Sequence, residues 1–351
     1  MTMTTVIKHG IILEKTDLAF EDCGVLNPAV IMDVNGKIDF LYRAVRVGNY
    51  SSIGYCKLGE FNKIETRFTQ PIILPGHEYE KHGIEDPRVV RIDNLYYITY
   101  TAYDGNNAIG ALATSTDLKE FTKLGLISPR FTYKDFAVCV ESNKNINEKH
   151  LRFYKIFKER VGAVRSDELL VWDKDVVFFP RKINGKFTFL HRLYPSIQIA
   201  SFEKIEELTE EFWRTYLFNL QNYIVLESKY HFEAAYIGGG CPPIETEDGW
   251  LIIYHGVEDT SKGYVYHATA ALLDIEDPHK EIGRLSRPLF SPTEEWEREG
   301  YVKNVVFPSG AIVKGDELFI YYGAADSRIA VASVNLKYLL YELKNETSQT
   351  R

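Results

Sequence analysis

The sequence predicts an all-β protein built as a five-bladed β-propeller, and two repeated patterns support this prediction. A turn residue followed by a run of aromatic and β-branched residues, which is a strand signal, occurs five times along the 351-residue chain. Each run follows a short segment with a proline and precedes a small apolar strand, so each unit has at least three antiparallel strands. Repeated units of this size are typical of propeller blades. A large β-sandwich is the alternative, because its strands also alternate with glycine turns.

The five runs share a tyrosine or histidine at their seventh position. They begin at Gly36, Asn94, Gly185, Gly249 and Asp316, and their seventh residues are Tyr42, Tyr100, His191, His255 and Tyr322. The interval between the second and third runs is the longest, which predicts an insertion at about residues 133–173 with a helix-like stretch. Residues 203–223 and 336–345 also have helical periodicity. We therefore expect one domain, 1–351, with a helical insertion between blades two and three and short satellite helices.

The composition excludes several classes of function. The 41 basic and 49 acidic residues give a net charge of −8, which disfavours a nucleic-acid partner. No apolar run is long enough for a signal peptide or a membrane span, and the four cysteines have neither metal-ligand nor redox spacing. We expect a cytoplasmic protein that needs no metal or cofactor and binds neither membrane nor nucleic acid. A homo-oligomer stays open.

The proline-containing segments are the candidates for the inner strands that line a propeller channel. They carry the polar residues Asn27, Glu85, Asp86, Arg88, Lys174, Asp175 and Arg181. Pro87 favours an extended backbone for Asp86, and Arg88 is then expected on the same strand face, where it could pair with the carboxylate. A carboxylate held in this way suits a general acid. A purely structural Asp–Arg pair is the alternative.

Basic side chains beside the seventh positions add hydrogen-bond donors. Arg43, Arg192 and His255 suit an oxyanion or sugar hydroxyls, although His255 taken alone is better explained as a core histidine. Aromatic residues make up 13% of the chain, which suits strands and also a sugar-stacking site. We expect the Gly238–Gly240 triplet to be a turn between strands and not a phosphate loop.

These motifs together resemble glycoside hydrolase family 130, the β-mannoside phosphorylases and β-mannosidases that have a five-bladed propeller. The matching segments follow one another along nearly the whole chain: Asn27-Pro28, Tyr42-Arg43-Ala44, Glu85-Asp86-Pro87-Arg88, Tyr100–Tyr103, Lys174–Pro180, Gly185-Lys186, His191-Arg192, Gly249-Trp250, Tyr254-His255-Gly256, Asn304–Pro308 and Tyr321–Asp326. The resemblance implies an inverting, single-displacement attack on a terminal β-mannoside, with a β-1,2 linkage as the expected one.

The resemblance also implies roles for single residues. Asp86 matches the general acid, whose proton in the phosphorylases reaches the glycosidic oxygen through a hydroxyl of the mannose itself. The positions that match the mannosyl-binding residues are Asn27, Arg43, Tyr103 and Asp326. Arg192 and His255 match two positions of the phosphate-binding cluster. Arg88, Lys174 and Asp175 complete the expected substrate-binding set.

Two departures from the family pattern bear on whether the attacking group is water or phosphate. Asp173 stands where the phosphorylases usually carry a basic residue or asparagine, and Tyr236 stands where they usually carry lysine. A phosphate dianion needs several cationic partners to replace its water, so both departures favour hydrolysis. We therefore expect an inverting β-mannosidase in which Glu233 or Glu258 activates the water. Either glutamate could instead be a solvated loop charge.

Two alternatives remain. The first is a β-mannoside phosphorylase that releases α-mannose 1-phosphate, with inorganic phosphate as co-substrate held by Lys174, Arg192 and His255. In that case the family alignment slips by one residue across the insertion, and Lys174 fills the cationic place. The second alternative is a non-catalytic propeller that binds β-manno-oligosaccharides through the Asp86 site.

Overall fold

The chain is an all-β protein with few helices, and its strands form five successive antiparallel units. A computed structural model describes residues 4–142, 148–161 and 168–346. The first unit contains β2 (Gly24–Met32), β3 (Ile38–Arg46), β4 (Tyr50–Leu58) and β5 (Ile64–Arg67), and the second contains β6 (Gly83–Ile92), β7 (Leu95–Tyr103), β8 (Ala108–Ser115) and β9 (Thr122–Leu126). The third contains β10 (Asp173–Phe178), β11 (Phe187–Leu193), β12 (Ile197–Phe202) and β13 (Ile224–Leu226).

The last two units complete the strand order. The fourth unit contains β14 (Tyr236–Gly239), β15 (Ile244–Thr246), β16 (Gly249–Thr260), β17 (Gly263–Leu273) and β18 (Glu281–Arg284). The fifth contains β19 (Val306–Lys314), β20 (Glu317–Ala324) and β21 (Arg328–Asn335), and its outer strand is the N-terminal β1 (Val6–Leu13). The pairings form three sheets, because units one, two and three are joined by single parallel bridges, Ser51 with Gly83 and Ile109 with Asp173.

Helices lie in the three segments where the sequence has helical periodicity, and one short helix lies outside them. The insertion between units two and three contains α1 (Tyr133–Ser142) and α2 (Glu148–Val161), α3 (Glu210–Phe218) lies between β12 and β13 of unit three, and the short α4 (Glu295–Arg298) precedes unit five. The last is α5 (Leu336–Glu346). None of the helices in the described ranges is long and apolar enough to cross a bilayer.

The apolar core is divided into clusters that each join two successive units. One cluster packs Leu41 of unit one against Ile98 of unit two, and another packs Leu251 of unit four against Ile320 of unit five. A further cluster joins Phe40 of unit one to Tyr321 of unit five, so the two ends of the chain share a core. Inner strands such as β8 are buried on both faces because neighbouring units pack against them, whereas outer strands such as β1 and β5 are partly exposed.

The first strands of units one to three share a bulge that places a polar residue in the left-handed region. One extra residue interrupts the register after Leu26, after Glu85 and after Lys174. Asn27, Asp86 and Asp175 then have φ values of 49°, 50° and 54°. The expected extended backbone at Asp86 was therefore wrong. Asparagine and aspartate tolerate this conformation better than other residues with a side chain, so the bulge overrides the preference set by Pro87.

The glycine triplet is not the expected turn. Gly238 and Gly239 lie inside β14, the first strand of unit four. A Cβ atom at Gly238 would overlap both the His255 ring and the Asp175 carboxylate, and one at Gly240 would overlap the backbone of Ile253. Glycine is required here because two neighbouring strands approach this backbone closely.

Candidate active site

Most of the predicted site residues lie at one end of the five units, and Arg181, Glu233 and Glu258 are the exceptions. The first strand of each unit starts at this end and the second strand finishes there, as the pairings of Gly83 with Tyr103 and of Asp173 with Leu193 show. The first strands also contact one another, β2 with β6, β6 with β10, β10 with β14 and β2 with β19. The bulge residues of units one to three therefore face a common space.

Asp86 lies among cations and one amide. Asn27 donates a 2.8 Å hydrogen bond from Nδ2 to Asp86 Oδ1, and Arg43 donates a 3.3 Å bond to the same oxygen. Burial alone would raise the pKa of Asp86, but Arg43, Lys174 and Arg88, together with Asn27, hold that pKa below its ordinary value. Asp86 is therefore ionised in the unliganded protein.

Glu85 links the cations of units one and three. Arg43 donates a 2.7 Å hydrogen bond to Glu85 Oε1, and Lys174 donates a 3.2 Å bond to Glu85 Oε2. Burial would lower the pKa of Lys174, but Glu85 and Asp86 raise it above its usual value. The Lys174 side chain is thus a charged ammonium that bonds to Glu85 and interacts electrostatically with Asp86, on the side of the strand that faces the site.

Asp326 is a carboxylate of the site whose pKa is raised. Burial raises the pKa of Asp326 to about 6, and Asp86 and Glu85 contribute to the increase while Arg43 and Lys174 oppose it. Its backbone is also in the left-handed region, with φ of 48°. Tyr103, another predicted sugar contact, donates from its hydroxyl to the carbonyl of Gly105 at 2.9 Å.

A second cluster combines Arg192, Asp175 and His255. Arg192 Nε lies 2.9 Å from Asp175 Oδ2, but off the line that a hydrogen bond needs, so neither atom has a hydrogen-bond partner. Both ring nitrogens of His255 are also buried without a hydrogen-bond partner, 4.0 Å or more from Asp175 Oδ2. Burial, with Arg192 and Arg88 nearby, holds the pKa of His255 well below its usual value, so the ring is neutral. Buried polar atoms without protein partners are the ones that a bound ligand or water would satisfy.

Aromatic rings cover this second cluster and tie it to the insertion. The Arg192 guanidinium lies 4.3 Å from the Tyr194 ring and 5.1 Å from the Tyr236 ring. Phe153 of α2 stacks on Tyr194 at 5.0 Å, so the helical insertion reaches the site. Tyr236 and Tyr266 share a 2.6 Å hydroxyl–hydroxyl hydrogen bond. Tyr236 therefore brings a neutral hydroxyl and not a repelling charge.

Arg88 does not pair with the Asp86 carboxylate as expected. Its guanidinium donates to three backbone carbonyls instead, those of Gly240 at 2.5 Å, Asp86 at 3.1 Å and Pro87 at 3.0 Å. The bulge adds one residue between the two side chains, which turns them away from each other. Arg88 thus holds the backbone that carries the acid. Arg181 lies outside the site in a surface ion pair with Glu245.

Glu233 is fully buried and every oxygen is occupied. Oε1 accepts from the hydroxyl of Tyr254 at 2.6 Å and from Arg284 at 2.8 Å, and Oε2 accepts from the backbone N–H groups of Lys229 and Tyr230. No lone pair is left for a water, so this placement argues against the expected role of Glu233 as catalytic base.

The environment of Glu233 is repeated in all five units. Each unit buries one carboxylate completely in a hydrogen-bonded group that also contains a phenol and a Lys, Arg or His side chain, an arrangement that we call a latch; in unit three the phenol contacts the histidine and not the carboxylate. The latches are Glu21–Tyr42–Arg67, Glu80–Tyr100–Lys123, Asp173–Tyr216–His191, Glu233–Tyr254–Arg284 and Glu297–Tyr322–Lys8. The repetition marks Glu233 as a structural element of the unit and not as a catalytic group.

The latches also correct the alignment of the fourth repeat. The latch residue there is Tyr254, so His255 corresponds to Arg43 and Arg192, which follow the latch residues of units one and three. The fourth repeat therefore begins one residue earlier than Gly249, the start that the sequence predicted. This correction puts Arg43, Arg192 and His255 at equivalent positions, which explains why all three face the site.

Asp173 belongs to the latch of unit three and not to the anion cluster. Its carboxylate lies 2.9 and 3.0 Å from His191 Nδ1, and both side chains are fully buried. Neighbouring residues of a strand point to opposite faces, so Asp173 faces the core while Lys174 faces the site. The expectation that Asp173 opposes an anion was therefore wrong.

Glu258 lies on the opposite face of β16 from His255. It contacts His267 Nε2 and His231 Nδ1, each at 3.2 Å, and its side chain is 23% exposed. β16 pairs with β17 without a bulge across these residues, so the alternation of faces holds. The described contacts of Glu258 therefore do not include the Asp86 cluster. Throughout the described ranges, no three His, Cys, Asp or Glu side chains are grouped to hold a metal ion.

Sequence comparisons agree with the class of enzyme that this site indicates. The sequence model of glycoside hydrolase family 130, described as β-1,4-mannooligosaccharide phosphorylase, matches residues 13–172 and 145–345. A 1,2-β-oligomannan phosphorylase of Thermoanaerobacter sp. is 34% identical over 93% of this chain and 95% of its own. A β-1,2-mannobiose phosphorylase of Listeria innocua is 30% identical over 84% of this chain and 70% of its own.

Solved structures share the fold. The Listeria innocua β-1,2-mannobiose phosphorylase in complex with β-1,2-mannobiose aligns with 97% of this chain and 99% of its own, with a TM-score of 0.72 at 24% identity. A structure described with family hydrolases that target β-1,2 mannosidic linkages in Candida mannan covers 96% of this chain and 95% of its own, with a TM-score of 0.70 at 22% identity.

The all-β fold and the carboxylate held among cations define a carbohydrate-active enzyme that cleaves or phosphorolyses glycosides. The chain belongs to glycoside hydrolase family 130.

Proposed function

We propose that the protein is an inverting β-mannoside phosphorylase acting on β-1,2-linked manno-oligosaccharides. The cluster of buried donors beside the acid supports this assignment most directly. Arg192 Nε and the single N–H of the neutral His255 ring lack hydrogen-bond partners, and the charged Lys174 is the register partner of Arg192. A phosphate dianion needs several such donors to replace its water. Curated relatives at 34% and 32% identity are named as β-1,2-mannoside phosphorylases.

The proposed reaction is a single displacement. A phosphate oxygen attacks C1 of the terminal mannose while the bond from C1 to the glycosidic oxygen breaks. Asp86 supplies the proton for the departing oxygen, through a mannose hydroxyl as the family resemblance implies. The products are α-mannose 1-phosphate and the shortened oligosaccharide. Asn27, Arg43, Tyr103 and Asp326 would hold the mannosyl ring, and Lys174, Arg192 and His255 would hold the phosphate.

Charge balance connects the two binding events. In the unliganded protein, Arg43, Lys174 and Arg88 lower the pKa of Asp86. The carboxyl group is therefore ionised. A phosphate dianion beside Lys174 and Arg192 would offset their attraction for the carboxylate. Phosphate would therefore favour the protonated form of Asp86 that the reaction needs.

The structure gives hydrolysis less support than the sequence alone does. Asp173 faces the core, Glu233 has no free lone pair, and Glu258 lies on the other face of its strand.

We also propose that the five units close into a five-bladed propeller, because the first strands contact in succession and one apolar cluster joins units five and one. All four cysteines are free thiols, which fits the proposed cytoplasmic location.

Product analysis with and without phosphate tests the assignment. The protein is incubated with β-1,2-mannobiose or β-1,4-mannobiose, and products are identified by ³¹P NMR and chromatography. We expect α-mannose 1-phosphate from the β-1,2 disaccharide and no turnover without phosphate. Free mannose at an equal rate without phosphate would instead establish a hydrolase. Binding of a β-mannoside without turnover would establish a non-catalytic sugar-binding protein.

Two variants sharpen this test. Lys174→Gln should raise the KM for phosphate by about tenfold, because one charge-assisted contact is lost. Glu258→Gln is its matched control and should leave phosphorolysis unchanged. A large loss of kcat in Glu258→Gln, with Lys174→Gln unaffected, would contradict the phosphorylase and restore the glutamate-activated water.

A further inference from the structure

We propose that the latch of unit three, Asp173–His191–Tyr216, is the positioning device for Lys174 and Arg192. It rests on the proposed function only in taking phosphate as the anion that these two cations bind. The latch touches neither substrate nor reacting atoms, so its three members are positioning residues. Their effect reaches the site through the backbone of β10 and β11.

The sequence neighbours of the latch are the two cations themselves. Asp173 directly precedes Lys174, His191 directly precedes Arg192, and Lys174 and Arg192 are register partners across β10 and β11. Adjacent residues of a strand point to opposite faces. The latch therefore joins β10 to β11 on the core face. Lys174 and Arg192 extend from the site face at the next register position.

The hydrogen bonds within the latch show how firmly its side chains are held. The Asp173 carboxylate can only accept from His191 Nδ1, at 2.9 and 3.0 Å. Tyr216 donates its one proton to the carbonyl of Ile199 at 2.9 Å, so its oxygen accepts from His191 Nε2 at 2.8 Å. Both ring nitrogens of His191 therefore have partners inside the latch, which fixes the orientation of the ring. His191 lies at the strand position that a tyrosine occupies in the other latches.

Unit three differs from the other units in where the carboxylate sits. Glu80 and Glu233 lie in 3₁₀ turns, Glu297 lies in α4, and Glu21 precedes β2. Asp173 instead lies on the first strand of its unit, at the β10 position next to Lys174. Loss of the other carboxylates loosens a connection, whereas loss of Asp173 loosens the strand that carries a cation.

The experiment compares matched latch variants in the full-length protein. Asp173→Asn and Glu297→Gln each replace a fully buried latch carboxylate by an amide. His191→Phe and Tyr322→Phe each keep a ring but remove its polar contacts. For every variant we would measure the melting temperature, the KM for phosphate, the KM for β-1,2-mannobiose and the binding of inorganic phosphate by calorimetry.

We expect the two variants of the unit-three latch to differ from the two variants of the unit-five latch in phosphate binding. All four variants lose stability, but only Asp173→Asn and His191→Phe raise the KM and Kd for phosphate, by about tenfold, because small misplacements of a binding group are costly. Their KM for β-1,2-mannobiose stays within about twofold of wild type, since the mannosyl contacts lie on other strands. Equal phosphate constants in all four variants would overturn the proposal.

Failure of the proposed function gives a different result. A wild-type protein that hydrolyses mannobiose without phosphate dependence would refute the phosphorylase, while calorimetry with phosphate alone would still compare the four variants. A wild-type protein that does not bind phosphate would overturn both proposals.

Discussion

At the residue scale, the site depends on how Asp86 is held. Asn27 and Arg43 both bond to Asp86 Oδ1, while Arg88 holds the backbone carbonyl of the same residue. The carboxylate is thus oriented by two side chains and its peptide by a third. Such fixed geometry favours proton transfer because little reorganisation is left for the reaction.

Replacing the acid should separate catalysis from binding. Asp86→Asn keeps the shape and one acceptor but cannot supply a proton, so kcat should fall by about a thousandfold. Calorimetry with β-1,2-mannobiose should show binding within a few-fold of wild type. A variant that retains more than a tenth of the wild-type kcat would show that the proton comes from elsewhere.

Asp326 should make stability depend on pH. Burial raises its pKa from 3.8 to about 6, so between these values the folded protein binds more protons than the unfolded chain. The contribution of Asp326 to the free energy of unfolding therefore falls as pH rises from about 4 to 6. Asp326→Asn should stabilise the protein at pH 7.5 by up to about 2 kcal/mol, and by much less at pH 4, in urea unfolding curves. A variant that is less stable than wild type at pH 7.5 would contradict this account.

At the element scale, the latches connect each second strand to a turn or helix outside it. The five carboxylates are fully buried; four of them contact a phenol directly, and Asp173 contacts His191, which in turn contacts Tyr216. A buried carboxylate is costly unless its partners are complete, so each latch stabilises only one arrangement of its elements.

Removing the charge of one latch tests its structural role. Glu233→Gln leaves Arg284 buried without its carboxylate and should lower the free energy of unfolding by about 3 kcal/mol. We expect kcat and both KM values to stay within about threefold of wild type. The opposite result, a large loss of kcat at unchanged stability, would make Glu233 the catalytic base after all.

At the scale of the whole molecule, the two ends of the chain meet in unit five. β1 pairs with β21, and Lys8 of β1 is the cation of the fifth latch, 2.6 Å from Glu297. In a closed propeller this pairing joins the N-terminal and C-terminal parts of the ring, so the last unit depends on the first strand.

Deleting β1 should therefore lower the free energy of unfolding more than removing the charge of Lys8 alone. Lys8→Met keeps the strand and should lower the free energy of unfolding by about 3 kcal/mol, because Glu297 is left buried without its cation. Deletion of residues 1–13 also removes the outer ladder of unit five and should lose more than Lys8→Met in denaturant unfolding. Equal stability of the two variants would mean that β1 does not close the structure.

Much of the molecule follows from local sequence. The strand runs, their turns and the five-fold repetition are visible because β-branched and aromatic residues alternate with turn residues at regular intervals. The same local signals identified the insertion and its helices. The Asp86 motif and the neighbouring arginines were also recognisable, since polar residues on short buried strands are costly unless they are used.

Only the tertiary structure decided which side chains share the site. Asp173 and Lys174 are adjacent in sequence but lie on opposite faces, and the bulge at Asp86 turns Arg88 away from the carboxylate it follows. A shift of one residue in register moves every later side chain to the other face of a strand, and no local pattern reports that shift. The sequence therefore determined the repeated units and their chemistry, whereas the pairing of strands determined that Lys174 faces the site and Glu233 does not.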